Sequence, residues 1–209
     1  MKVLKFGGTS VETAERIRDV VSIVADQRGS EPVIVVVSAM AGVTNALVDA
    51  ATRAAASDPE AESVVRGLAE RHAAAARAVA SPEEVDALIE LLAGWQSDLR
   101  SLIQGISLVR DCSPRVLDAV LSYGELFSSA LVTAAFRRAG IPAQAIDARK
   151  LIITDDTFGN AKVDRALTDE RVRQSGLRDG GCIPVVTGFI AATSDGTTTT
   201  LGRGGSDYT

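Results

Sequence analysis

The sequence is poor in groups that titrate near neutral pH or bind transition metals. Its 209 residues include one histidine and two cysteines. Cys112 and Cys182 are far apart and outside any metal-ligand spacing. A metal site built on His or Cys is therefore excluded, and the two read as reduced, buried thiols of a cytosolic protein. His72 stands beside Glu70 and Arg71 in an alanine-rich stretch, which reads as a solvated helix surface. Aromatic residues are only 4%, too few for base-stacking platforms. No run of eighteen apolar residues occurs, so no membrane span is expected. Lys2 leads straight into a strand and two glycines, so no secretory signal is expected either. The net charge of −5 argues against a general nucleic-acid or anionic-membrane binder. An anionic ligand must then be held by local cations. Two phosphate-binding signatures are also missing: the G-x-x-x-x-G-K-[ST] loop and the dinucleotide G-x-G-x-x-G.

Apolar residues make up 46% of the chain, enough to bury a core as one domain, with room for a subdomain. The N-terminus is the most informative segment. A short strand at 2–6 carries Lys5 near its end and runs into Gly7-Gly8-Thr9-Ser10. Adjacent glycines let a backbone turn sharply and bring N–H groups close to an anion. A following helix adds partial positive charge, and Lys5 adds a whole one.

The spacing of Ala14, Ile17, Val21 and Val24 predicts a helix over 12–28. Val33 to Val37 is a β-branched run, apolar on both faces, as in the middle of a parallel sheet covered by helices. Strand, glycine turn, helix, strand is a βαβ unit. Residues 43–56 read as helix, and 60–80 and 82–104 as a helical hairpin broken at Ser81-Pro82, with Ser81 as cap. Another helix starts at Ser113-Pro114 and runs to Arg138, with an interruption expected near Gly124. A strand at 143–147, an irregular β segment at 151–163, a helix at 164–174, a central strand at 182–190 and a hairpin around Gly196 complete the pattern. The implied class is α/β, a mainly parallel central sheet sandwiched by helices, with a helical excursion at about 57–110.

Four segments resemble the aspartate kinases of the amino-acid kinase superfamily. They are Lys5 to Val11 (KFGGTSV), Ser38 to Asn45, Ser122-Tyr123-Gly124-Glu125, and Gly202 to Thr209 (GRGGSDYT). The resemblance extends over the whole chain, through Thr154 to Gly159 and Thr197 to Leu201. It implies an N-terminal, acceptor-binding part of a kinase domain, truncated before the nucleotide-binding half, with regulatory domains also absent; a non-catalytic acceptor-binding fragment and another member of the superfamily are the alternative readings. It further implies ATP with Mg2+ as co-substrate, L-aspartate as acceptor, no organic prosthetic group, and a homo-oligomer for the full-length enzyme.

Such an enzyme moves the γ-phosphoryl of ATP to a side-chain carboxylate. That nucleophile has a pKa near ~4 and is already ionised, so no general base is demanded. Positioning and electrostatics carry the reaction. Lys5 is the first choice for stabilising charge on the phosphoryl. Gly7, Gly8 and Thr9 would bring backbone donors, and Ser10 either donates its hydroxyl or caps the helix. By resemblance Arg203 grips the α-carboxylate of aspartate, with Ser206 nearby; a guanidinium binds a carboxylate bidentately. Glu125 faces the α-ammonium or, alternatively, complements a helix dipole. Thr44 resembles a substrate-contacting threonine, while Ser38 serves the site or the turn. Asp207 organises the catalytic lysines, with a magnesium-related role or a first-turn helix acid as the competing readings. Asp155 and Asp156 read as loop structure near the cleft, because adjacent residues of a β segment face opposite ways. Asp111 and Asp118 read as solvated.

Overall fold

The computed structural model describes residues 1–28, 31–177 and 181–202. Four parallel strands form the main sheet: β1 (Lys2–Phe6), β2 (Val33–Val37), β3 (Ala143–Ile146) and, later in the chain, β5 (Ile183–Thr187), in the order β1-β2-β5-β3. Between β3 and β5 lie the two-residue β4 (Ile153–Thr154) and the helix α6 (Arg165–Gln174). A second sheet, ordered β4-β6-β7, adds β6 (Ile190–Thr193) antiparallel to β7 (Thr198–Thr200). The other helices are α1 (Ala14–Gln27), α2 (Val43–Ala55), α3 (Glu60–Val79), α4 (Val85–Val109) and α5 (Pro114–Arg138).

Every residue of β2 is buried, as its unbroken β-branched run predicts. Its two faces enter different cores. Val33, Val35 and Val37 pack with the apolar faces of α1 to α5. Ile34 and Val36 pack with Val186, Ala191 and the 148–152 segment. The expected sandwich holds, but helices cover one face, while the small second sheet and the half-buried Val172 of α6 pack on the other.

α5 is the central helix. By length and composition it could cross a membrane, yet 89% of its most apolar stretch is buried inside the protein. Ser113 caps it, accepting from the Val116 N–H at 3.4 Å, with Pro114 in the first turn as predicted. The expected interruption at Gly124 does not occur: α5 is continuous. Gly124 is there for packing. A Cβ at this position would lie 2.8 Å from the Ala39 Cβ and 3.5 Å from Val43 Cγ1.

Four further expectations are corrected. His72 is not solvated but fully buried, its ring tilted against Phe127 at a ring-centroid distance of 4.6 Å. Burial pushes its pKa down to about 4, so it stays neutral. The helix hairpin breaks at Ser81-Pro82, but α4 begins only at Val85; the Ser81 carbonyl accepts from the Glu84 and Val85 N–H groups. The strand expected over 182–190 is two strands, because Gly188 and Phe189, the latter at φ 65°, turn the chain from one sheet into the other. Cys112 and Cys182 are half-buried rather than buried.

Gly124→Ala should destabilise the fold by about 1–3 kcal/mol, the usual cost of overpacking, although alanine is the better helix former. Chemical denaturation measures this, and an unchanged or raised stability would show that Ala39 yields freely.

Candidate active site

The site lies at the carboxyl ends of the parallel strands, where open α/β sheets hold ligands. Lys5 pairs with Val36, next to the last pair of the β1–β2 ladder, and is exposed. Beyond it, the Ser38 N–H donates to the Phe6 carbonyl at 3.1 Å and the Ala41 N–H to the Gly8 carbonyl at 3.0 Å. The two loops after β1 and β2 are thus stitched together by backbone.

The two glycines serve different ends. A Cβ at Gly8 would sit 2.9 Å from the Ala39 carbonyl oxygen, so only glycine lets the loops meet. A Cβ at Gly7 would meet nothing within 4 Å, which leaves that backbone open to an approaching ligand. Gly8–Val11 forms a single 3-10 turn, closed by the Ser10 N–H on the Gly7 carbonyl at 2.9 Å. The α-helix starts later, and Thr13 caps it by accepting from the Arg16 N–H at 3.3 Å. Capping of α1 therefore belongs to Thr13 and not to Ser10. Thr9 and Ser10 line a shallow cavity of about 330 Å³ shared with Arg16 and Phe6.

The 38–42 loop is held from three sides. Ser38 and Thr44 are half-buried, Thr44 in the first turn of α2. Gly42 precedes that helix at φ 81°, a left-handed conformation that favours glycine. Arg71 of α3 donates to the Ala41 carbonyl at 2.9 Å and to the Glu12 carbonyl at 3.2 Å. The sequence reading missed Arg71, since an arginine in an alanine-rich helix carries no signal of a tertiary partner. The helical excursion thus braces the site loop.

Glu125 is the third hold. It is 97% buried in the middle of α5, and one oxygen accepts from the Ala39 N–H at 3.1 Å. The other oxygen, Oε2, has no partner. Burial pushes the carboxyl pKa up to about 8, against the lowering effect of the Ala39 N–H. The dipole alternative fails, because Glu125 is far from the α5 N-terminus. A buried polar atom without a partner calls for a ligand or water. A cation brought to Oε2 would favour the ionised carboxylate.

The last described residues close the site on its far side. The Gly188 N–H donates to the Val37 carbonyl at 2.8 Å, and the Leu201 N–H to the Phe189 carbonyl at 2.9 Å. The chain therefore reaches Gly202 (φ 76°) beside the end of β5. Arg203, Ser206 and Asp207 lie outside the described residues. Asp155 is loop structure, as expected: one carboxylate oxygen accepts from the Thr157 N–H at 3.2 Å and the Lys162 N–H at 2.9 Å. Asp156 is exposed. Asp118, read as solvated, is instead buried in the fold. Among the described residues no group of three His, Cys, Asp or Glu side chains could hold a metal ion.

A strand-end lysine, an open glycine turn and a half-satisfied buried carboxyl thus lie at the carboxyl end of the parallel sheet. The chain belongs to the amino acid kinase family, whose model matches residues 1–209. It is 32% identical over 207 residues to a chloroplastic bifunctional aspartokinase/homoserine dehydrogenase 1 of Arabidopsis thaliana, covering 99% of this chain and 23% of that protein. It is 35% identical over 206 residues to an aspartokinase of Chlamydia pneumoniae, covering 99% and 42%. Among solved structures, E. coli aspartokinase III in complex with lysine and aspartate superposes with a TM-score of 0.88 at 32% identity, over 100% of this chain and 45% of that one. The same enzyme in complex with aspartate and ADP gives 0.86. The chain spans less than half the length of these relatives.

Glu125 sets a pH dependence. Its pKa is raised on folding, so below about pH 4.5 both states are protonated and nothing is lost. As pH rises toward about 8, the unfolded chain ionises while the folded one keeps its proton, and stability falls. Glu125→Gln keeps an acceptor for Ala39 and removes this slope. Its thermal midpoint should match the native one near pH 4.5 and exceed it by more than about 3 °C at pH 8. His72 titrates in both proteins and cancels from the difference. Equal midpoints at both pH values would mean that Glu125 is hydrated.

Proposed function

We propose that residues 1–209 form the acceptor-binding part of an aspartate kinase, which transfers the γ-phosphoryl of ATP to the side-chain carboxylate of L-aspartate. The observation that carries this reading is Glu125, a buried carboxyl with one unpaired oxygen beside the loops that follow β1 and β2. A free amino acid offers an ammonium to such an oxygen. The names of the relatives, and the aspartate and ADP held by the similar solved enzyme, support the same reading.

In this mechanism a side-chain carboxylate oxygen of aspartate attacks the γ-phosphorus, the bond to the ADP oxygen breaks, and 4-phospho-L-aspartate and ADP result. Lys5 neutralises charge on the moving phosphoryl. Gly7, Gly8, Thr9 and Ser10 present donors to the phosphates. Arg203 and Ser206 hold the α-carboxylate, Glu125 the α-ammonium, and Ser38 and Thr44 border the acceptor. Asp207 orients the lysine environment. Mg2+ supplies charge neutralisation between the phosphates when bound. The product would feed lysine, threonine and methionine synthesis, in a cytoplasmic enzyme that is a homo-oligomer at full length.

In a polypeptide carrying residues 1–209 at enzyme length, Lys5→Ala should lower kcat far more than it raises the aspartate KM, a loss of about 3 kcal/mol in transition-state stabilisation. Wild-type kcat would remove Lys5 from the mechanism. Arg203→Lys should chiefly raise the aspartate KM, because an ammonium cannot reproduce a bidentate fork. A rise in the ATP KM instead would assign Arg203 to the nucleotide. Residues 1–209 alone should give no ATP-dependent aspartyl hydroxamate; hydroxamate that disappears in Lys5→Ala would show this part to be a complete enzyme.

A further inference from the structure

α5 carries a second buried carboxylate on the same face as Glu125. Asp118, Ser122 and Glu125 follow the 4-then-3 spacing that stacks side chains along one side of a helix. Asp118 is 1% exposed and differs from Glu125 in one respect: both of its oxygens are engaged. Oδ2 accepts from the Gly159 N–H at 2.9 Å and the Thr200 N–H at 3.0 Å, and Oδ1 accepts from the Thr200 hydroxyl at 2.7 Å. One side chain therefore ties α5 to the 155–160 loop and to the last residue of β7. Two further contacts extend the tie. The Ala161 N–H donates to the Thr200 carbonyl at 2.9 Å. Gly202 packs so tightly on Asn160 that a Cβ there would collide with the Asn160 amide. Loop and strand are thus locked together immediately before Arg203.

We propose that Asp118 is a positioning residue of the acceptor site, fixing where Gly202 follows β7 relative to Glu125 on the same helix. The inference rests on the acceptor-site reading above. Rise along a helix is about 1.5 Å per residue, so the seven-residue step from Asp118 to Glu125 sets a span of roughly 10 Å. That span is rigid, because both ends are buried in one continuous helix. Loss of Asp118 would leave the buried Thr200 N–H, and the Gly159 N–H at the loop surface, without their acceptor and loosen the hold on Gly202. Asparagine can replace the geometry: its carbonyl oxygen takes both N–H bonds, and its amide donates to the Thr200 hydroxyl oxygen. Positioning, not charge, is the role assigned.

The test is an L-aspartate titration of the 15N-labelled 209-residue chain by NMR, with amide hydrogen exchange on the same samples. Asp118→Ala should weaken aspartate binding at least tenfold, while Asp118→Asn stays within twofold of wild type. Thr200→Val, which removes only the hydroxyl bond, should fall between them and guards against simple misfolding of the alanine variant. Exchange should accelerate at Gly159 and Thr200 while Ala39, bonded to Glu125, remains protected. Alanine binding like wild type, or asparagine as weak as alanine, overturns the positioning role alone. Parallel loss of protection at Ala39 overturns it as well, since the effect would then be global. If the wild-type chain shows no saturable binding, the acceptor-site reading falls and takes this inference with it.

Discussion

α5 can approach the loop after β2 only because residue 124 has no side chain, and the site depends on that approach. At Gly124 the helix backbone reaches Ala39 with no room for a Cβ. One residue on, Glu125 receives the Ala39 N–H. Ala39 in turn crowds Gly8 through its carbonyl, so the β1 loop takes its place from the same contact. Three segments distant in sequence are therefore set by one close packing. Protein interiors are dense enough that such a contact is not adjustable by even a methyl group.

Electrostatics in the site are local. The chain is acidic overall, so no long-range field draws an anion in. The local groups that an anion would meet there are the exposed Lys5, the open backbone at Gly7 and Arg16. At Glu125 the logic is reversed. Glu125 is desolvated, holds its proton when alone, and is short of one hydrogen-bond partner. A buried group in that state is costly to the fold, and a ligand ammonium would offset the cost. Stability and binding are then in tension at one residue, as expected where a site is built into a core helix.

The helical excursion has a structural part in this arrangement. α3 supplies Arg71, which reaches two carbonyls of the site loops. It also supplies His72, buried against Phe127 two residues beyond Glu125. The end of α3 is held in turn by Arg18 of α1 and Arg138 of α5, which donate to the Ala78 carbonyl at 3.3 and 3.0 Å. Packing between the excursion and the core is thus continuous with the loops that present Lys5 and Thr44.

By itself the sequence determined the local elements and the chemical character of the site. The unbroken run at Val33–Val37 and the spacing in α1 are period signals, and burial follows period directly. Lys5-Phe6-Gly7-Gly8 was legible as a strand running into an open turn, whereas Glu125 was singled out only through the family resemblance. Tertiary structure decided whatever depends on a distant partner. Gly124 looked like a helix breaker because propensity is a one-body property, whereas its reason is a neighbour 85 residues away. His72, Asp118 and Arg71 looked solvated because their polarity is visible in the sequence and their partners are not. The split at Gly188-Phe189 was hidden for a related reason. An apolar run predicts burial, and both β5 and β6 are buried, but which sheet each joins is set by the φ of 65° at Phe189. Burial of a polar group becomes acceptable only when a specific partner arrives from elsewhere in the chain, and that partner is fixed by the fold.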